Sequence, residues 1–79
     1  MTTSDELEGW LRALIGELLD VPPDQIDVTE SLERYGLDSS TALCVVDSLE
    51  RHLDRELDPA LLYDYTTIRA LARHLLGER

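Results

Sequence analysis

Asp38, Ser39 and Ser40 are consecutive oxygen-bearing side chains where a Gly-Leu pair gives way to an apolar-periodic stretch. Residues of these types at a helix start have two uses. Their side chains can accept from the unpaired backbone N–H groups of the first turn, which is ordinary capping. Alternatively, a hydroxyl held out beside those N–H groups can carry a modification, because a phosphate on its oxygen is favoured there. Asp38 opposes such a phosphate by like charge, so the site is not a simple anion trap. No base is arranged nearby in the sequence to activate Ser39 for attack of its own. A group installed on Ser39 by a separate enzyme fits these residues better than spontaneous nucleophilic chemistry.

Other reactive types offer less. Cys44 and His52 stand eight residues apart, about 12 Å along a helix axis, which is beyond the hydrogen-bond reach of a Cys–His nucleophile pair. Cys44 reads as a small buried hydrophobe. His52 and His74 lie within helical stretches among arginines and read as surface residues. No HExxH pair, glycine-rich phosphate loop or EF-hand spacing occurs, and the acids are too spread to build a calcium loop. The sequence therefore names no catalytic residue and no metal ligand.

Four helices must position Ser39. Thr3 and Glu6 read as a capping box for a first helix over about 4–20, with Asp5 and Glu6 at its positive end. Leu7, Trp10, Leu11, Leu14, Ile15, Leu18 and Leu19 form one stripe along it. Gly9 and Gly16 weaken this helix without breaking the pattern, and Pro22 and Pro23 end it. Residues 21–38 form a long connection, pinned by Ile26, Val28, Leu32 and Leu37, with a single turn over 31–35 and the Tyr35 hydroxyl in water. A second helix over about 39–54, capped by Asp38, buries Ala42, Val45, Val46, Leu49 and Leu53. Asp58 and Pro59 open a short third helix over 59–63, with Leu61, Leu62 and Tyr63 to bury. Thr66 or Thr67 caps a fourth over 67–76, with Gly77 closing it. With no sustained strand alternation, the expectation is one domain over 1–79, an all-α four-helix bundle with three longer helices and one short.

Composition narrows the partners. Seventeen acids against seven bases, all arginine, leave a formal charge of −10 in 79 residues. That field repels nucleic acid and anionic lipid and attracts proteins with basic docking surfaces. With 43% hydrophobic and 30% charged residues the chain is globular rather than disordered. A single cysteine excludes a disulfide framework. No apolar run has the length of a membrane span, and the start is not built like a signal peptide. A cytoplasmic monomer is expected.

The segment "ERYGLDSSTALCVVDSLERHL" resembles the modification-site segment of acyl carrier proteins. The family's Gly-Leu-Asp-Ser motif falls on Gly36, Leu37, Asp38 and Ser39. The long connection before it and the final helix are also similar, most of all to carriers of polyketide synthases. The resemblance implies that Ser39 carries 4'-phosphopantetheine, installed from coenzyme A by a phosphopantetheinyl transferase, and that its thiol holds acyl intermediates as thioesters. It implies a non-catalytic protein. Its partners would be a ketosynthase, an acyltransferase or an acyl-activating ligase, met by Asp38, Ser40, Val46, Asp47, Glu50 and Asp54. The sequence departs from the family at Ser40, where leucine or methionine is usual, at Cys44 and Val46, and at Tyr63-Asp64-Tyr65-Thr66-Thr67, where Phe-Asp-Tyr-Pro-Thr is usual. These departures touch the rim that partners see. A peptidyl carrier of nonribosomal peptide synthesis is the near alternative, although such carriers tend to have Gly-Gly-(His or Asp)-Ser. An acidic helical adaptor, in which Ser39 is incidental, is the alternative from another class. The short termini suggest a freestanding carrier, and an excised domain would look the same.

Overall fold

The computed structural model describes residues 3–77. It is an all-α bundle of helices α1 (Ser4–Leu19), α2 (Ser39–Leu53), α3 (Leu61–Asp64) and α4 (Ile68–Leu75), with 3-10 turns at Pro23–Gln25 and Leu32–Tyr35. The elements fall within one or two residues of their expected bounds, and the differences are caps. Thr3 Oγ1 accepts from Glu6 N at 3.1 Å, and Thr67 Oγ1 accepts from Ala70 N at 3.1 Å. Asp20 and Asp54 close α1 and α2 in the left-handed conformation, at φ 56° and 53°. Asp58 does not begin α3. Its carboxylate accepts from Ala60 N, so Pro59 sits in a turn before the helix.

One core runs through all four helices. Leu7, Leu11 and Ile15 of α1, Val45 and Leu49 of α2, and Ile68 and Leu71 of α4 are fully buried. α1 packs chiefly on α4. The burial gives Gly16 a job beyond its cost to the helix. A Cβ there would lie 2.6 Å from the Val21 carbonyl oxygen, so only glycine lets the chain fold back this closely after α1.

The long connection is fastened as the apolar pattern demands. Ile26, Val28 and Leu32 are buried, and Leu37 is partly buried against the same core. Two backbone bonds tie the connection to the start of α4: Leu32 N donates to Thr66 O and Arg69 N to Val28 O, each at 2.9 Å. The Tyr35 hydroxyl is not simply in water, because it accepts from Asp27 N at 2.9 Å and closes the loop on itself.

Three further side chains depart from the sequence reading. Val46, buried as its apolar spacing implies but placed by the family resemblance on the rim that partners see, is 3% exposed and belongs to the core. At ~100° per residue it falls about 40° round from Ala42, at the edge of the α2 stripe beside Leu53. Cys44, expected to be buried, is exposed, since the same rotation carries it off that stripe. Tyr63, expected to be buried, is 63% exposed. The two histidines are exposed but not idle: His52 stacks on Trp10 with ring centroids 4.1 Å apart, and His74 on Tyr65 at 4.0 Å.

These placements make Val46 and Ser40 behave oppositely. Val46→Ala should cost about 2 kcal/mol by leaving a core cavity. Ser40→Leu, on the exposed first turn, should move stability by no more than ~0.5 kcal/mol. Urea unfolding of the two variants checks this ordering, and equal midpoints would contradict a buried Val46.

Candidate attachment site at the start of helix α2

Ser39 is placed by a short sequence of backbone decisions. Leu32–Tyr35 winds as a 3-10 turn, and Gly36 closes it at φ 95°, a conformation that favours glycine. The Gly36 N–H is shared between the Glu33 and Leu32 carbonyls. Leu37 then drops its side chain against the core. Asp38 adopts extended φ −117° and ψ −177°, and Ser39 is the first residue of α2. Gly36, Leu37 and Asp38 thus act as turn, anchor and cap, and together they set the direction in which α2 begins.

Capping belongs to Asp38 alone. Its Oδ1 accepts from Thr41 N at 2.9 Å, and its carbonyl accepts from Ala42 N at 2.8 Å. The hydrogen bond from Thr41 N holds the Asp38 carboxyl below the ordinary value of 3.8, helped by the Thr41 side chain and, more weakly, by the Ser40 and Asp38 backbone. Because the Asp38 carboxylate already takes the Thr41 N–H, neither Ser39 nor Ser40 serves as the cap.

The Ser39 hydroxyl has a different partner. Its Oγ lies 3.0 Å from the Tyr63 hydroxyl, across the gap between α2 and α3. Both residues are exposed. Two clefts meet at this pair. One, of about 290 Å³, runs between Leu32, Leu37, Leu62 and Thr66. The other, of about 270 Å³, opens toward Leu43, Pro59 and Ala60. Leu43, at 55% exposure, forms part of an apolar rim beside Ser39. An ester on Ser39 Oγ meets no side chain that would have to leave the core, so the site can accept a long, flexible group.

The acidic flank is less uniform than its sequence implies. Asp47 is exposed and paired with Arg51 at 2.7 Å. Asp54 is exposed, but its backbone closes α2. Glu50 is half-buried, and its Oε2 accepts from Leu57 N at 2.9 Å, which anchors the chain after α2. Asp38, Ser40, Asp47 and Asp54 remain available at the surface, whereas Glu50 is partly committed to the fold and Val46 wholly so. Sequence reasoning missed Tyr63 as a site residue. The signal was present in its hydroxyl, on a short helix too small to bury three large side chains. Among the described residues no group of three His, Cys, Asp or Glu side chains is placed to hold a metal ion.

Known proteins share the sequence family and the fold. The family model for the phosphopantetheine attachment site matches residues 9–75. The chain is 40% identical over 68 residues to polyketide synthase PksM of Bacillus subtilis, which covers 86% of this chain and 2% of that protein. It is 44% identical over 72 residues to polyketide synthase ThaQ of Burkholderia thailandensis, covering 91% of this chain and 3% of the synthase. The chain thus spans only a few per cent of these relatives. Among solved structures, a free-standing peptidyl carrier protein from Acinetobacter baumannii superposes with a TM-score of 0.90 at 39% identity, covering 94% of this chain and 92% of that one. Asl1650, an acyl carrier protein from Anabaena with a variant phosphopantetheinylation-site sequence, superposes at 0.85 with 40% identity, covering 94% and 84%.

The cap gives a pH prediction. Asp38 has a folded pKa below its unfolded 3.8, so its contribution is complete above 3.8 and disappears as pH falls through the lower folded value. Asp38→Ala should therefore lower the thermal midpoint at neutral pH, with the gap from wild type closing on acidification. Melting curves recorded across that range test it; a gap independent of pH would remove the carboxylate from the cap.

Proposed function

Since the chain belongs to the phosphopantetheine attachment family, we propose that Ser39 is the residue that takes the arm and that the cargo is a polyketide-type acyl group. The chain is a non-catalytic carrier that holds acyl intermediates as thioesters on covalently attached phosphopantetheine. That group, when bound, supplies a terminal thiol on a long tether. The chain's own residues supply the rest. Gly36 and Leu37 aim the helix start, Asp38 satisfies it, and Ser39 is left with an exposed hydroxyl that no capping bond requires. This freedom of Ser39 is the observation that carries the reading. Cys44, although exposed, is not needed for loading, because the thioester thiol belongs to the arm.

The polyketide assignment is supported by the synthases among the relatives and by the Gly-Leu-Asp-Ser sequence. An aminoacyl cargo is a second reading, favoured by the close superposition on the Acinetobacter baumannii peptidyl carrier. Partners in either case are a phosphopantetheinyl transferase and the acyl-handling enzymes of the pathway. They meet an acidic surface, of which Asp47 and Asp54 are the exposed α2 representatives.

Intact mass after incubation with coenzyme A and a broad-specificity transferase tests the attachment. Wild type should gain one arm, located by digestion on Ser39, and Ser39→Ala should gain none while keeping its helical content. A mass increase in Ser39→Ala would sink the assignment. Offering the modified protein to a malonyl-specific acyltransferase and to amino-acid-activating ligases separates the two cargoes. Loading by the acyltransferase is expected, and loading only by the ligases would transfer the assignment to the peptidyl class.

Surface charge gives a further expectation. Asp47→Lys should slow modification by about three-fold at low ionic strength, the effect shrinking as salt screens it. Stability should hardly change, because the Asp47–Arg51 pair is exposed. Glu50→Lys should slow modification and also destabilise, through loss of the Leu57 N–H acceptor. Initial rates across a salt series decide the matter, and a salt-independent rate for Asp47→Lys would remove α2 from the docking surface.

A further inference from the structure

The geometry points to Tyr63 as the hydrogen-bond donor that holds the phosphodiester once Ser39 is modified, fastening the root of the arm across the gap between α2 and α3. This rests on the reading of Ser39 as the attachment residue. An ester at Ser39 leaves a negatively charged phosphodiester beside the Asp38 carboxylate. A helix N-terminus would ordinarily receive such an anion, but here the Asp38 carboxylate already holds the Thr41 N–H and repels a second anion. The Ala42 N–H is taken as well, by the Asp38 carbonyl. No cationic side chain lines either cleft that meets at Ser39. The anion therefore needs a donor that Asp38 does not hold.

Tyr63 is such a donor, in the cleft that Asp38 and Ser39 also line. Its hydroxyl is 3.0 Å from Ser39 Oγ, and phosphorus on that oxygen places its free oxygens one bond further out, within reach of the same phenol. Tyr63 lines both clefts, so its ring divides the Leu37–Leu62 side from the Leu43–Pro59 side. In the unmodified protein either hydroxyl can donate. After modification Ser39 has lost its proton, the acceptor is charged, and Tyr63 must donate. Hydrogen bonds to charged acceptors are stronger than those between neutral groups, so the contact tightens on modification. With 63% of Tyr63 exposed, the ring can follow the phosphodiester without disturbing the core.

Wild type, Tyr63→Phe and Tyr65→Phe proteins, each converted with coenzyme A and a transferase, provide the test. Digestion and mass locate the arm, and phosphorus NMR reads the phosphodiester directly. The arm is expected on Ser39 in all three. The phosphorus resonance of Tyr63→Phe should be displaced from that of wild type and narrower, as the root of the arm gains motion, while Tyr65→Phe should superimpose on wild type. Tyr63 is exposed, so Tyr63→Phe keeps the fold, as circular dichroism would verify. An arm missing from Ser39 in wild type overturns the attachment reading itself. An arm on Ser39 with the same phosphorus position and width in wild type and Tyr63→Phe overturns the role of Tyr63 alone.

Discussion

The start of α2 can be aimed only because the connection before it is fastened to the start of α4. Residues 20–38 have no continuous ladder to satisfy their backbone, and such a segment would ordinarily fluctuate. Leu32 N–H bonded to the Thr66 carbonyl and Arg69 N–H bonded to the Val28 carbonyl remove that freedom at two points. Both bonds sit beside buried side chains, Val28 and Leu32 on one partner and Ile68 on the other, so water competes poorly for them. Arg69 adds an ion pair at 3.7 Å with Glu8, which is 8% exposed, and so brings α1 into the same corner. From that corner to Ser39 there is one 3-10 turn, one glycine and one cap. Release of the corner would leave α2 intact as a helix but free to point elsewhere.

The same economy shapes the charge. A formal −10 suggests a surface given over to partners, yet many of the acids have work inside the fold. Asp38 caps α2, Asp20 and Asp54 terminate helices in left-handed conformations, and Glu50 holds the Leu57 N–H. Asp27 accepts from both the backbone and the hydroxyl of Thr29, and the hydroxyl bond is the main cause of its lowered pKa. The residues left to steer partners are fewer than the composition implies. Among them, Asp47 and Asp54 lie on one exposed strip of α2 beside the apolar rim of Leu43, where a basic partner can meet charge and apolar surface together.

Much of this was legible in the sequence. Helix positions follow from apolar spacing and from caps such as Thr3, Asp38 and Thr67, whose side chains act over three residues and need no tertiary context. The buried pins of the long connection, Ile26, Val28 and Leu32, were legible because little else in that stretch is apolar. Cys44 was misplaced for a different reason. Its residue type argues for burial, while its position 200° round from Ala42 argues against it, and position decides on a helix packed along one face. Val46 is the converse, a core position that family likeness had drawn to the rim. The partners of the Tyr35 and Tyr63 hydroxyls were illegible in principle. These hydroxyls reach residues 8 and 24 positions away, and no local pattern encodes such pairs.

Division of labour at the α2 start is what makes a carrier out of a small bundle. A serine used as a cap would have its oxygen turned toward the helix end and hydrogen-bonded there, and modifying it would cost the cap. With Asp38 as the cap, Ser39 can gain or lose a large group while the helix beneath it keeps every backbone bond. Ser40 extends the logic, since it is exposed and accepts none of the capping bonds. With the arm on Ser39 as proposed, rigid helix and mobile arm are separated at one residue boundary, between a carboxylate committed to the fold and a hydroxyl committed to nothing but Tyr63. A fold too small to enclose a substrate can in this way present one, because the only precision it must supply is the place and direction from which the tether leaves.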